Sequence, residues 1–216
     1  MDFLYSIVSF FESGGAFMYP ILLVFAFGLA VAIERYVTLT MVTSRNQAVW
    51  TKLQPLLAEG NFEEAREMTN NDDSTISQVL NMGLSLQGAV RRREDIEIAM
   101  EESMMEIVPR LEKRTPYVAL CSSIATLLGL LGTIMGLIQA FTAVANANPA
   151  EKADLLSASI SVAMNTTAFG LMVAIPLLII HTVLTSKTGD IVDSLEMATV
   201  KALNVFARRA KRVAEA

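Results

Sequence analysis

The chain has 216 residues, 53% of them hydrophobic, with a mean hydropathy of +0.46 and a formal net charge of −5. An ordinary soluble domain is about 45–50% apolar even with glycine counted, so the composition excludes that class and indicates a membrane protein. One His and one Cys exclude a metal site built from several such ligands, and the sequence contains no glycine loop of the kind that cradles phosphate. We therefore predict no catalytic residue, no metal and no cofactor.

The first predicted element is a short hydrophobic helix at residues 1–15. Its acidic residues, Asp2 and Glu12, stand near its ends, and residues 1–12 contain no Lys or Arg. A cleavable signal peptide would have a positively charged start, so we expect none. An apolar helix with polar ends favours a position in the outer interface of the membrane, where it serves as an anchor.

A first transmembrane helix is predicted at residues 16–37. Residues 14–33 carry no charged side chain, and about 20 apolar residues suffice to cross a bilayer. Glu34 and Arg35 close this run. We interpret the two charges as the membrane boundary, with a gating pair as the alternative.

Residues 38–114 are predicted to form a soluble helical bundle. Gly60 stands in a turn between two helical segments, and residues 93–114 combine charged side chains with apolar ones at helical spacing. Pro109 should bend or interrupt this last helix. The acidic face of the same helix contains Glu94, Asp95, Glu97, Glu101, Glu102 and Glu106. These carboxylates pair either within their own helix, which is the simpler explanation, or with a neighbouring subunit.

A second transmembrane helix is predicted at residues 115–146, within a longer stretch that has no charged side chain. Small and hydroxyl residues recur in it at alternating spacings of four and three residues, which places them in one stripe. The stripe consists of Ser122, Thr126, Gly129, Thr133, Gly136 and Ala140. A smooth stripe of this kind favours close packing against another helix.

A third transmembrane helix, residues 155–186, follows a short turn at residues 147–154. It also lacks charged side chains, and its small and polar residues fall within an arc of roughly 100° on a helical projection. The arc contains Ser159, Ala163, Thr166, Thr167, Gly170, Ala174 and His181. Gly or Ala would pack as well as these hydroxyl residues, so the hydroxyls favour a polar path. His181 is either a proton relay or a residue that faces water or lipid headgroups.

The distribution of basic residues predicts the orientation. Nine of the 17 Lys and Arg lie in the 38–114 region, six lie in the tail at residues 187–216, and none precedes residue 35. The positive-inside rule places the amino terminus and the 147–154 turn in the periplasm, and the middle region and the tail in the cytoplasm. The tail is a predicted amphipathic helix whose basic end is a candidate for binding membrane lipids.

Three motifs resemble a known family. They are GGAFMYPILL at residues 14–23, LLGLLGTIMG at 127–136 and TTAFGLMVAIP at 166–176, one in each predicted span. Together they are similar to the ExbB/TolQ branch of the MotA/TolQ/ExbB proton-channel proteins. The resemblance implies a homopentamer in the bacterial inner membrane, around a dimer of a single-span partner similar to ExbD or TolR. It also implies that a transmembrane Asp of that partner receives the ion, and that Thr133 and Thr167 match the family's threonines in a pore lined by both stripes.

One position departs from the family's pattern. ExbB- and TolQ-like proteins usually carry Glu in the third span, and the resemblance aligns that position with Val162. Without this carboxylate, protons would depend on water, hydroxyls, His181 and the partner's Asp, whereas Na⁺ prefers several oxygen ligands. We predict an ion path lined by oxygen atoms, with H⁺ and Na⁺ equally open. Its residues are Thr133, Thr166, Thr167, Ser159 and Asn165.

The predicted fold is an all-α integral membrane protein with three transmembrane helices, two of them extending into a cytoplasmic helical bundle. The predicted function is the ion-conducting subunit of an inner-membrane motor that drives a partner acting on the periplasm or outer membrane, without a nucleic-acid ligand. The alternative is a non-conducting scaffold that assembles through the small-residue faces. A solute transporter is disfavoured because three spans show no inverted repeat, and an intramembrane hydrolase because no nucleophile and base pair is recognisable.

Overall fold

The computed structural model describes residues 10–11, 14–88 and 92–215. Six helices contain most of these residues, and no β-strand occurs among them. In chain order the helices are α1 (Met18–Glu59), α2 (Phe62–Asn70), α3 (Thr75–Leu86), α4 (Arg93–Glu112), α5 (Thr115–Asn146) and α6 (Lys152–Glu215). The prediction of an all-α protein is confirmed.

Three of these helices have the length and composition of membrane spans, namely α1, α5 and α6. α6 contains 64 residues, which at the helical rise corresponds to roughly 95 Å. The hydrocarbon core of a bilayer is only about 30 Å thick, so α6 must continue well beyond it. The prediction of three transmembrane helices is confirmed.

α1 is longer than the predicted first span. The helix does not end near residue 37 but continues through Arg35 to Glu59. No Gly or Pro occurs between Gly28 and Pro55, so no helix-breaking residue stands at the predicted boundary. The first span therefore passes into the predicted cytoplasmic region without a break.

The interruption expected at Pro109 occurs a few residues later. α4 runs through Pro109 and ends at Glu112, and Arg114 then adopts a φ of 71°, in the left-handed region that non-glycine residues rarely occupy. Pro116 stands at the start of α5, where its missing N–H needs no partner. The turn before Pro116 therefore separates α4 from α5.

The chain divides into two compact units. The first contains the chain up to Glu34 together with Arg114–Val183, and the second contains Arg35–Lys113 together with the chain from Leu184. Each of the long helices α1 and α6 contributes to both units.

In the first unit, α1, α5 and α6 meet through small residues. A Cβ placed on Gly28 of α1 would lie 3.0 Å from the Cβ of Cys121 in α5 and 3.1 Å from Leu177 in α6. The outward surfaces carry bulky apolar side chains instead, and Ile134 of α5 and Ile175 of α6 are exposed examples. This arrangement suits a membrane, because small residues allow close helix contact while bulky ones face lipid.

The second unit has an apolar core built from α1, α3, α4 and the end of α6. Its fully buried side chains include Leu53, Leu80, Met100, Leu195 and Leu203. The ring of Phe62 packs edge to face against that of Phe206, with 5.3 Å between the ring centroids. The apolar stripe of the predicted amphipathic tail thus packs in this core.

A polar network fixes the start of α3. The carboxylate of Asp72 accepts hydrogen bonds from the backbone N–H of Ser74 at 2.9 Å, the hydroxyl of Ser77 at 2.8 Å and the guanidinium of Arg45 at 2.9 Å. Burial raises the pKa of Asp72, but these hydrogen bonds outweigh it and hold the pKa well below its usual value. The charged form of Asp72 is therefore part of the folded structure.

Most of the predicted amino-terminal helix lies outside the described residues, which include only Phe10 and Phe11 from its hydrophobic run. The ring of Phe11 lies 5.7 Å from that of Phe169 and 5.3 Å from that of Tyr19, both edge to face. The outer-interface helix at residues 1–15 stays a prediction.

Candidate ion-conducting site

α5 and α6 cross in close contact at two glycines, Gly129 and Gly170. A Cβ placed on Gly170 would lie 2.7 Å from the carbonyl oxygen of Ala125 and 3.0 Å from the Cα of Gly129. Gly170 has no room for a larger residue, because the obstructing atoms belong to the backbone, and a Cβ on Gly129 would be in tight contact at 3.3 Å from the Cα atoms of Gly170 and Thr167. This crossing positions the hydroxyl residues of α6 against α5.

Thr167 lies at the crossing and is hydrogen-bonded across it. Its side chain is half-buried, and its Oγ1 donates a hydrogen bond to the carbonyl oxygen of Gly129 at 2.8 Å. A hydroxyl has one proton to donate and two lone pairs that accept. The bond to Gly129 therefore fixes the proton and leaves the oxygen able to accept another donor or to bind a cation.

Thr166, the neighbouring hydroxyl, occupies a different environment. It is only 2% exposed, and its Oγ1 contacts the carbonyl oxygens of Gly14 at 2.6 Å and Val162 at 2.9 Å. A Cβ on Gly132 would overlap the methyl group of Thr166. Thr166 thus joins the turn before α1 to α5 and α6.

The remaining small residues of the two predicted stripes also meet across this interface. The hydroxyl of Ser122 donates to the carbonyl oxygen of Ala174 at 2.7 Å, and a Cβ on Gly136 would lie 2.7 Å from the Cβ of Ala163. Ala140 is fully buried. Through these contacts the α5 stripe and the α6 arc pack against each other within one protomer.

Two members of the α5 stripe bond within their own helix. The hydroxyl of Thr126 donates to the carbonyl oxygen of Ser122 at 3.1 Å, and that of Thr133 donates to Leu130 at 2.6 Å. Thr126 is exposed, and Thr133 is half-buried. Like Thr167, Thr133 keeps its oxygen lone pairs while its proton is held.

Three further candidates lie along α6, and each is half-buried: Ser159, Asn165 and His181. Val162, the position that resembles a glutamate site in the family, contacts the amino-terminal turn, because a Cβ on Gly15 would lie 3.1 Å from its Cγ1. The residues between 155 and 186 supply oxygen from hydroxyls and amides but no carboxylate.

Sequence reasoning missed the roles of Gly14 and Gly132. Gly132 had a detectable signal, because it lies between Gly129 and Gly136 at helical spacing. The bond from Thr166 to Gly14 had no signal in the sequence, since the two residues are 152 positions apart in the chain. Groups of three or more His, Cys, Asp or Glu able to hold a metal ion do not occur in the described part of the chain.

Comparison with known proteins identifies the family of this three-span chain. The model of the MotA/TolQ/ExbB proton channel family matches residues 71–197. The chain belongs to this family. Its resemblance to the ExbB/TolQ branch is confirmed by its relatives, which are named as ExbB-like and TolQ proteins.

Three relatives show the extent of this similarity. A putative biopolymer transport protein ExbB homolog of Methanothermobacter thermautotrophicus is 27% identical over 200 residues, which cover 91% of this chain and 69% of the relative. A putative biopolymer transport protein ExbB-like 1 of Synechocystis is 28% identical over 190 residues, which cover 85% of this chain and 72% of the relative. The Tol-Pal system protein TolQ of Haemophilus influenzae is 32% identical over 93 residues, which cover 43% of this chain and 40% of the relative. The family is one of membrane channels rather than of enzymes.

Proposed function

We propose that the protein is the ion-conducting subunit of a membrane motor complex, whose ion flow drives a partner acting on the periplasm or the outer membrane. Membership of a proton-channel family supports the channel role. The observation that carries the proposal is the position of Thr167, half-buried at the α5–α6 crossing with its proton held by Gly129. Its oxygen is held in place and can bind an ion.

The proposed ion path continues through Thr133, Ser159 and Asn165. Each of these side chains is half-buried and carries an oxygen atom, and several neutral oxygens suit a dehydrated Na⁺. Hydroxyls and water can equally relay protons, with His181 as a proposed further relay. Thr166 belongs to the wall of the path, where its two backbone contacts fix the segment that carries Thr167.

The proposed partner supplies the negative charge that this span lacks. Because Val162 stands where the family usually has Glu, a carboxylate near the path has to come from another chain. A dimer of an ExbD- or TolR-like single-span protein, with an intramembrane Asp, would provide it. In this proposal five copies of the chain surround the dimer in a bacterial inner membrane, with the amino terminus periplasmic and the carboxyl terminus cytoplasmic.

Ion flux into liposomes tests this function. The liposomes contain the full chain with its genetically neighbouring single-span protein, and flux under a Na⁺ gradient is compared with flux under a proton gradient. We expect flux of one ion and its loss when the partner's intramembrane Asp is replaced by Asn. Sodium flux supports oxygen ligation and proton flux supports a water relay to the Asp, whereas no flux under either gradient contradicts the proposal.

A non-conducting scaffold is the second candidate, and the buried hydroxyl contacts favour it. Ser122 and Thr166 donate to carbonyl groups of neighbouring segments, which is a purely structural use of a hydroxyl. A scaffold predicts that Thr133→Ala and Thr167→Ala are tolerated, while Gly129→Leu disrupts assembly.

A further inference from the structure

An open groove runs between α4 and the final part of α6 in the second unit. Its volume is 790 Å³, within the range of about 300–1,000 Å³ typical of ligand pockets. The groove is lined by apolar side chains that include Met104, Met105, Val108, Val192, Val200 and Leu203.

The groove exposes apolar surface that the described residues leave uncovered. Met105 is 74% exposed and Val200 is 52% exposed, whereas Leu203 is buried. Burying such apolar side chains against a partner is favourable. Methionine is also flexible enough to adapt to the shape of a partner.

Three carboxylates, those of Glu97, Glu101 and Glu196, line the same groove, and no basic residue occurs among its described lining residues. The ion pairs of the described residues involve Asp72, Glu106 and Glu34, so none neutralises the groove. The pairing within α4 that the sequence suggested is thus seen for Glu106 and Arg110, outside the groove. An apolar floor with acidic side chains is complementary to a basic, partly apolar segment.

The helices that form the groove are continuous in sequence with two of the membrane spans, and this continuity indicates the source of the basic segment. α4 directly precedes α5, and α6 is one helix with the third span. These are the two spans that carry the proposed ion path. Single-span proteins carry Lys and Arg on the cytoplasmic side of their membrane helix, so a partner held by α5 and α6 would present a basic segment next to the cytoplasmic ends of these spans.

We infer that the groove binds the basic cytoplasmic flank of the single-span partner, with apolar side chains in the groove and Lys or Arg beside Glu97 and Glu101. This inference rests on the proposed function, because that function supplies the partner. The binding mode is that of an amphipathic segment laid in an apolar groove. The groove would thus hold the cytoplasmic end of a helix whose transmembrane part receives the ion.

A pair of matched charge reversals tests the inference. Glu97→Lys/Glu101→Lys changes the groove, and Glu94→Lys/Glu102→Lys makes the same charge change on the same helix at exposed positions outside it. The measurement is the affinity of the purified full-length chain for the genetically neighbouring single-span protein at low salt. We expect about a tenfold weaker affinity for the groove variant and less than a twofold change for the control. Lys or Arg to Glu changes in the partner's flank should restore binding to the groove variant alone.

Cross-linking identifies the occupant independently of affinity. The chain has one cysteine, Cys121, so Cys121→Ala provides a background in which Met105→Cys is the only reactive site. We expect Met105→Cys to cross-link to a cysteine placed in the partner's flank. A cross-link between two copies of this chain instead, or equal effects of the two charge reversals, would overturn the inference.

The outcomes separate this inference from the proposed function. If the wild-type chain binds the partner and conducts ions, yet both charge reversals bind equally well, the groove inference fails and the proposed function stands. If the wild-type chain neither binds the partner nor conducts, both fail. Circular dichroism and thermal unfolding of each variant show whether the fold is retained.

Discussion

The helix α6 makes two contrasting contacts along its length. Against α5 it uses small residues, and Gly170 leaves no space for even one added carbon. Against α4 it leaves an open groove with Met105 and Val200 exposed. The contact with α5 is therefore closely packed within one protomer, whereas the contact with α4 leaves apolar side chains exposed that another chain can cover.

The largest effect should come from adding one carbon at the α5–α6 crossing. Gly170→Ala places a Cβ 2.7 Å from the carbonyl oxygen of Ala125, and we expect a loss of about 3 kcal/mol in the free energy of unfolding. The measurement is thermal or denaturant unfolding in detergent. The matched control is Gly189→Ala in the same helix, whose Cβ would meet nothing within 4 Å. The control should be neutral or stabilising by up to about 1 kcal/mol, so similar behaviour of the two variants would refute a tight crossing.

A smaller effect should follow from loss of the Asp72 carboxylate in the second unit. Asp72→Asn weakens the hydrogen bonds from Ser74, Ser77 and Arg45, and we expect a loss of about 2 kcal/mol at neutral pH. Asp73→Asn, at the exposed neighbouring position, should change stability by less than about 0.5 kcal/mol. Unfolding experiments on both variants provide the comparison.

The pH dependence has a definite sign. Because the pKa of Asp72 is lowered by folding, its stabilisation is complete above the ordinary carboxyl pKa of about 4 and is lost as the pH falls below that value. The Asn variant should therefore lose less stability than the wild type on acidification below about pH 4. Parallel curves for the two proteins would contradict the network.

The smallest effect expected is that of a single hydroxyl at the crossing. Ser122→Ala removes the bond to Ala174 and should cost about 1 kcal/mol. Ser123→Ala removes a bond within its own helix, from an exposed position, and should be close to neutral. Unfolding in detergent again gives the measurement, and a larger cost for Ser123→Ala would show that the crossing does not depend on this hydroxyl.

The sequence predicts the helices and the small-residue faces because both follow from local periodicity. Ser122, Gly129 and Gly136 form one stripe at fixed spacing, and the structure places all three against α6. The continuation of α1 to Glu59 was less accessible, because charges at Glu34 suggest a membrane boundary but do not stop a helix.

Long-range contacts could not be predicted from the same periodicity. The bond from Thr166 to Gly14 joins residues far apart in sequence, and only the packing of three helices determines it. The groove likewise depends on the distance between α4 and α6, whose residues are separated by two turns and a transmembrane helix. Sequence patterns identify which faces are apolar, but they do not show which of those faces another helix covers.

Ion flux through three variants decides whether the hydroxyl of Thr167 contributes an oxygen to the ion path. Thr167→Ala removes the oxygen, Thr167→Ser retains it, and Thr182→Ala removes an exposed hydroxyl of the same helix that bonds only within it. Each variant is reconstituted with the partner, and flux is measured at equal protein content. We expect Thr167→Ala to lower flux about tenfold or more, while Thr167→Ser and Thr182→Ala conduct like the wild type. If Thr167→Ala conducts like the wild type, Thr167 contributes no oxygen to the ion path.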